Sequence, residues 1–213
     1  MLTLLFEVLP KSGQETAYLD MAAKLRPALD ASGGLLFLDR SRSEERAGWF
    51  LSHQYWRDEA SMARWRANGA HYRAQACGRT DILADYRLRV GQVVAEIAPE
   101  IGPDRGVVRY RQGPAATYDQ SDRPARYVLT MAARGAIESG WPSGMSRFNS
   151  VYDADLAIGI VDVASAAAGE GLLSELAAEP AIVIARLSVV SRDYGMFDRA
   201  EAPQYFEPVA TLA

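Results

Sequence analysis

The chain has 213 residues, 49% of them hydrophobic, and its 23 Lys and Arg against 27 Asp and Glu give a net charge of −4. That length allows one large domain or two small ones, and the acidic balance lacks the basic footprint of a nucleic-acid-binding surface. The single cysteine, Cys77, excludes an internal disulfide; with no CxxC pair or Cys/His cluster no metal site is expected, and both features fit a reducing cytoplasm.

The opening stretch MLTLLFEVLPKSG carries no basic lead and no long apolar run, so neither a signal peptide nor a membrane anchor is expected. Residues 2–9 read instead as a strand, closed by Pro10 and Gly13. A helix follows, with Ser12 as N-cap and Glu15 as its capping-box partner. Leu19, Ala22, Ala23, Leu25 and Leu29 form its apolar face, Pro27 is placed to kink or end it, and Gly33-Gly34 stops it. LLFLDRSRSEE is a second strand with a turn near Gly48, and WFLSHQYW a third. Asp58 and Glu59 open a helix that carries Met62 and Trp65; Asn68-Gly69 interrupts it, and HYRAQACGR adds one or two turns that end at Gly78. ILADYRLRVGQVV is a fourth strand.

The order β-α-β-β-α-β is the ferredoxin-like plan, one sheet with its helices on one face. The first strand is apolar on both sides: Leu2, Leu4, Phe6 and Val8 point one way, and Leu5 and Leu9 the other, with Glu7 between them. A sheet of this kind needs cover on both faces. The remainder of the chain repeats the plan in shortened form. RLRV at 87–90 recurs as RLSV at 186–189, residues 49–56 match LAIGIVDV at 156–163 in character, and residues 2–9 match YVLTMAAR at 127–134. The first helix of the second copy is reduced to GAIESGWPSG, and its second helix is AAAGEGLLSELAAE. Domains are therefore expected at 1–96 and 126–213, with 97–125 as a Pro- and Gly-rich linker holding one short strand at GVVRYR.

The segments FEVLPKSGQETAYLDMAAKLRP, YWRDEASMARWR, AHYRAQACGR and DYRLRV resemble the antibiotic biosynthesis monooxygenase family of dimeric α/β barrels, over residues 1 to about 94. The tail SRDYGMFDRAEAP resembles the segment after the last strand of single-copy relatives, but here it follows the second copy. The resemblance and the repeat together imply an α+β fold in which two ferredoxin-like halves of a single chain form a pseudo-dimeric α/β barrel. A further homodimer is left open.

The resemblance implies oxygenases that use no metal or flavin. An electron-rich ring in a dry pocket loses a proton, and its enolate passes an electron to O2. Such a site needs an apolar cavity, a base or oxyanion partner, and exclusion of water. His71 is the first candidate, as base, oxyanion partner or axial haem ligand. On one straight helix it would lie about 600° around from Trp65 and on another face, but the Asn68-Gly69 break lets both look into one cavity. The alternative is a His that merely bonds a nearby backbone group at a helix start. His53 lies on the third strand in phase with Trp49 and Tyr55, and Glu7 is a carboxylate in an apolar strand. Glu7 is either a base or the structural partner of an arginine such as Arg89. Trp65 is a flat wall for a polycyclic substrate or simply core. Trp49, Tyr55, Arg79 and Tyr86 complete the substrate-binding candidates. The second copy has small aliphatics where the first has His and aromatics. One pocket is therefore expected, in the first half, with the second half as a structural lid and the Trp141 loop and Tyr194, Phe197, Tyr205 and Phe206 helping to close it.

The leading expectation is thus a cofactor-independent monooxygenase, or related tailoring enzyme, that joins an aromatic or polyketide-like small molecule to O2. Haem binding and degradation is the alternative within the same superfamily. There an Asn on the first strand joins the Trp and His, whereas this chain has Phe6-Glu7. A non-catalytic ligand-binding barrel is the third reading.

Overall fold

The computed structural model describes residues 1–97, 105–110 and 126–203. In chain order these form β1 (Leu2–Pro10), α1 (Glu15–Ala31), β2 (Leu35–Ser43), β3 (Phe50–Trp56), α2 (Glu59–Arg66), α3 (Gly69–Cys77), a single π-helical turn (Gly78–Ile82) and β4 (Leu83–Ile97). They continue as β5 (Val107–Arg109), β6 (Arg126–Arg134), β7 (Ser146–Ser150), β8 (Leu156–Val163), α4 (Ala166–Leu176) and β9 (Ile182–Gly195). The fold is α+β, with the β-α-β-β-α-β order in the first half and its shortened copy in the second, as the sequence implies.

Two compact units are present. The first holds Met1–Asp39, Gly48–Val90 and the described residues from Arg192 onward; the second holds Arg40–Ala47 and Gly91–Ser191. These units cut across the segments 1–96 and 126–213, because β2, β4 and β9 are each long enough to begin in one unit and end in the other.

In the first unit the strands run β4–β1–β3–β2. β1 and β3 are antiparallel with Leu2 opposite Trp56, Leu4 opposite Gln54, Phe6 opposite Ser52 and Val8 opposite Phe50. Directly opposed residues share a face, and successive residues alternate. The register therefore assigns these eight side chains to one face and Thr3, Leu5, Glu7, Leu51, His53 and Tyr55 to the other. The first face carries the helices: Leu2 and Trp56 pack with Leu29 of α1 and with Met62 and Trp65 of α2, and Val8 and Phe50 pack with Tyr18 of α1.

Local chemistry sets the helix ends. Asp58 accepts the backbone N–H of Ser61 at 2.7 Å and starts α2. Asn68 accepts from the backbone of Ala70 at 2.9 Å and of His71 at 3.2 Å, and so restarts the helix as α3. α1 begins differently from the expected capping box. Its N-cap is Gln14, without a side-chain cap bond. Ser12 and Gly13 (φ 76°) instead form the centre of a turn that Gln14 N–H closes onto the Lys11 carbonyl at 2.9 Å. Pro27 neither ends nor bounds α1, which runs on to Ala31.

The second unit runs β7–β8–β6–β9–β4–β5, with the end of β2 paired to β7 through Ser41 opposite Ser150. The GAIESGWPSG stretch forms no helix and α4 is the copy's one helix among the described residues, as expected. The interior is filled. Leu129, Met131, Leu173 and Leu187 are buried together, and a Cβ on Gly169 of α4 would lie 2.4 Å from Leu187. Trp141, expected over the first-half pocket, packs into this core instead and closes on Gly159. Tyr205 and Phe206 lie outside the described residues.

Candidate functional site

The helix-bearing face of the first unit is not packed uniformly. β1 is flanked by β3 and β4, so its side chains can meet solvent only through a gap in the face. Leu2 and Val8, near its ends, are buried, yet Leu4 and Phe6 between them are partly exposed, and so is Leu88 on neighbouring β4. α3 contributes no buried residue. This less closely covered part of the helix face, with Leu4, Phe6 and Leu88 on it, is the candidate hollow.

Trp65 and His71 form one wall. Trp65 packs in the cluster that holds Leu4 and Leu88. The imidazole of His71 stacks on the indole, with ring centroids 4.3 Å apart and planes 20° from parallel. The break at Asn68 makes this contact feasible, because α3 starts on a new axis. His71 Nδ1 lies 3.2 Å from the Trp65 carbonyl. A carbonyl only accepts, so Nδ1 carries the proton and Nε2 keeps its lone pair. Burial pushes the His71 pKa down to about 4, against a smaller upward pull from the carbonyl bond, so the ring is neutral at pH 7.

A polar strip runs along β3 on the same face: Trp56 Nε1 donates to Gln54 Oε1 at 2.9 Å, and Gln54 Nε2 donates to Ser52 Oγ at 3.1 Å. At the other side of the floor the Tyr86 ring lies 5.5 Å from Phe6. Arg79, held on the π-helical turn, donates to Tyr86 Oη at 2.5 Å, and Arg199 donates to the same oxygen at 2.6 Å. Tyr194 stands beside them, with the Arg199 guanidinium 5.2 Å from its ring centroid. Burial, aided by Tyr86, pushes the Tyr194 pKa up to about 12, while the nearby Arg192, Arg199 and Arg66 pull it down.

The sheet separates the residues that the sequence singles out. Trp65, His71, Arg79 and Tyr86 are on the helix face. His53, Tyr55 and Glu7 are on the opposite face, fully buried or nearly so. His53 sits between aromatic rings, 4.6 Å from Tyr55 and 5.3 Å from Phe37. Glu7 Oε1 accepts from Arg89 Nη2 at 2.9 Å, a buried ion pair. His53 and Glu7 thus do not reach the hollow that His71 borders. Trp49 lies one residue before the start of β3. Phe6, Ser52 and Gln54 share this face, and Tyr194 and Arg199 stand beside Tyr86, without having been singled out for the site, apart from Tyr194 as a closing aromatic. The alternation of β1 and β3 carries the signal for the first three, once their register is fixed. Nothing local marks Arg199.

Residues 1–76 match the family model described as antibiotic biosynthesis monooxygenase. Over 99% of its length the chain is 33% identical to the whole of the jasmonate monooxygenase ABM of Pyricularia oryzae. The chain belongs to the antibiotic biosynthesis monooxygenase family. It is accordingly an oxidoreductase of the monooxygenase type. Among solved structures, an aldoxime dehydratase in complex with butyraldoxime is similar in fold over 88% of this chain and 79% of that one, with a TM-score of 0.53 at 11% identity. An anthrone oxidase-like protein aligns over 95% of this chain and 96% of that one, with a TM-score of 0.38 at 11% identity. Among the described residues, no helix of this family member is long and apolar enough to cross a membrane.

Proposed function

We propose that this monooxygenase oxidises an apolar, enolisable ring compound in the hollow of the first unit and draws the electrons from the substrate itself. The observation that carries the reading is the neutral His71, stacked on Trp65 with Nδ1 committed to a carbonyl and Nε2 left as a base. Trp65 offers a ring face against which a flat substrate stacks. His71 Nε2 takes the acidic proton, and the enolate passes one electron to O2. The resulting radical and superoxide combine to form a C–O bond, and the peroxide loses water. For an activated ring methylene the reaction balances with one O2: one oxygen atom becomes the new carbonyl oxygen, and the other leaves as water with both methylene hydrogens. No external reductant is consumed. The low basicity of a desolvated imidazole is offset as the enolate forms beside it, since an adjacent anion favours the imidazolium.

Aromatic and polyketide-like phenols or anthrones meet these requirements. Jasmonate, in the name of the Pyricularia oryzae relative, is an apolar acid with an enolisable ring ketone and bounds the same class from the aliphatic side. The test is an oxygen electrode. With anthrone and no added metal, flavin or haem, one O2 is expected per substrate, with His71→Ala slower by about 10²–10⁴-fold, the usual worth of a positioned base. A Soret band on adding hemin that vanishes in His71→Ala would overturn the cofactor-free reading. Saturable binding of the ring compounds tried, with no oxygen uptake, would leave a binding protein.

A further inference from the structure

The polar strip on β3 is a chain of hydrogen bonds with a fixed direction. Trp56 is fully buried, and its indole N–H can only donate, so the group it meets at 2.9 Å has to be the carbonyl oxygen of the Gln54 amide. That bond settles which end of the amide is which. Gln54 Nε2 is thereby turned toward Ser52 and donates to Ser52 Oγ at 3.1 Å. The Ser52 hydroxyl receives this hydrogen and points its own elsewhere. Two hydrogens of the strip, the Ser52 O–H and the second on Gln54 Nε2, meet no acceptor among the described residues. Ser52 is only 1% exposed and Gln54 9%, and buried donors are rarely left unmet. In the β1–β3 register Gln54 lies opposite Leu4 and Ser52 opposite Phe6, so both donors stand beside the partly exposed apolar residues of the helix face. Leu4 packs in the cluster of Trp56 and Trp65, and His71 stacks on Trp65.

We infer that Ser52 and Gln54 are the donors that hold the ring carbonyl oxygen of the substrate and stabilise it as it becomes an enolate oxygen. As the C–H bond breaks, its proton goes to His71 Nε2, its electron pair forms the C=C bond, and the carbonyl π pair moves onto oxygen. Charge thus grows at the atom the donors hold, and neither donor gives up its proton. In anthrone the carbonyl and the methylene lie on opposite sides of the central ring, so donors and base need not be adjacent. A fixed donor aimed at an oxygen that gains charge is worth more in the transition state than in the bound ketone. The chain behind it adds to the effect, because each bond polarises the next, from the Trp56 indole through the Gln54 amide to the Ser52 hydroxyl. Trp56 is a positioning residue, since it fixes the orientation of the amide. The inference deepens the proposed function and rests on it for the reaction: it adds an oxyanion partner to the His71 base and requires a substrate whose ring oxygen accepts hydrogen bonds.

Two measurements on the full chain test it. The first is oxygen uptake with anthrone. Ser52→Ala should lower kcat by about 10²-fold, the usual worth of one oxyanion donor, while KM stays within about threefold, because the lost bond matters most in the transition state. Gln54→Met, which keeps the length of the side chain and removes both amide hydrogens, should lower kcat in the same way and covers the case in which Ser52→Ala fails to fold. The second measurement needs no turnover. 4-Nitrophenol is bound, and the pKa of its hydroxyl is read from the phenolate absorbance as the pH is raised. Donors favour the phenolate, so the pKa of the bound phenol should be higher by about one unit in each variant than in the parent, a tenfold change in its ionisation constant. A kcat equal to the parent's in both variants, a bound-phenol pKa that moves in neither, or no saturable binding of 4-nitrophenol would overturn the inference. A phenol pKa that rises in the variants of a protein that takes up no oxygen would overturn the oxygenase reading and leave the donor strip standing.

Discussion

At the scale of single residues, His71 links stability and activity through one protonation equilibrium. Burial holds its pKa near 4 in the folded chain, against 6.5 for the free side chain. The folded state therefore refuses a proton that the unfolded state takes. Stability from this residue is fully present above pH 6.5, falls as the pH drops between 6.5 and 4, and levels off below 4. The span corresponds to about 3 kcal/mol. Urea unfolding at pH 7 and pH 4.5 should show the loss, and His71→Gln should remove most of that pH dependence while carboxylate contributions remain. The same number sets the acid limb of catalysis. A base that titrates near 4 keeps kcat/KM level from pH 7 to about 5, with the decline centred near 4. An acid limb centred near 6.5 would mean that His71 is solvated in the working enzyme or is not the base.

At the scale of elements, the two glycines of α4 separate packing from propensity. A Cβ on Gly169 would lie 2.4 Å from Leu187 Cδ1, 2.8 Å from Cδ2 and 3.1 Å from Cγ, so the end of the fully buried Leu187 side chain would have to shift. Gly169→Ala should therefore cost about 1–3 kcal/mol by overpacking. Gly171, two residues along the same helix, meets nothing within 4 Å. There alanine gains helix propensity alone, and Gly171→Ala should stabilise by about 0.5–1 kcal/mol. Paired thermal melts check both, and equal signs would contradict the packing of α4 on β9. In the first unit, the cap at Asn68 is where an element end becomes chemistry. Asn68→Ala removes the acceptor for the Ala70 and His71 backbone N–H groups. The expected cost is about 1 kcal/mol of stability, with a fall in kcat larger than the stability loss explains, because the first turn of α3 carries His71 to Trp65.

At the scale of the whole chain, the two units use one plan for different ends. The first leaves Leu4, Phe6 and Leu88 partly exposed under its helices, while the second fills the matching side with Leu173, Leu187, Met145 and Trp141. Much of this is legible in sequence: the alternating strands, the Asn68-Gly69 break, and the loss of His and aromatics in LAIGIVDV that leaves the second copy poorer in polar candidates. The partition of candidates by the sheet is less legible. Alternation shows that Glu7 opposes Phe6 across β1, but only the register of β1 on β3 puts His53 on the side of Glu7, away from His71. Arg199 reaches Tyr86 across 113 residues of sequence, and no local pattern marks such a contact. The partition yields a test that separates structure from chemistry. Glu7 and Arg89 are both buried, 2.9 Å apart, on the face away from the hollow. Glu7→Gln removes the charge and leaves Arg89 in the interior, which should cost about 3–5 kcal/mol, the usual penalty for breaking a buried pair from one side. Because Glu7 lies on the face opposite Leu4 and Phe6, kcat of the fraction still folded, measured well below the lowered melting temperature, should stay within about twofold of the parent. A loss of kcat by the 10²-fold or more expected of a missing base, in a variant whose melting temperature is unchanged, would move the chemistry to the other face of the sheet and leave His71 as part of the wall.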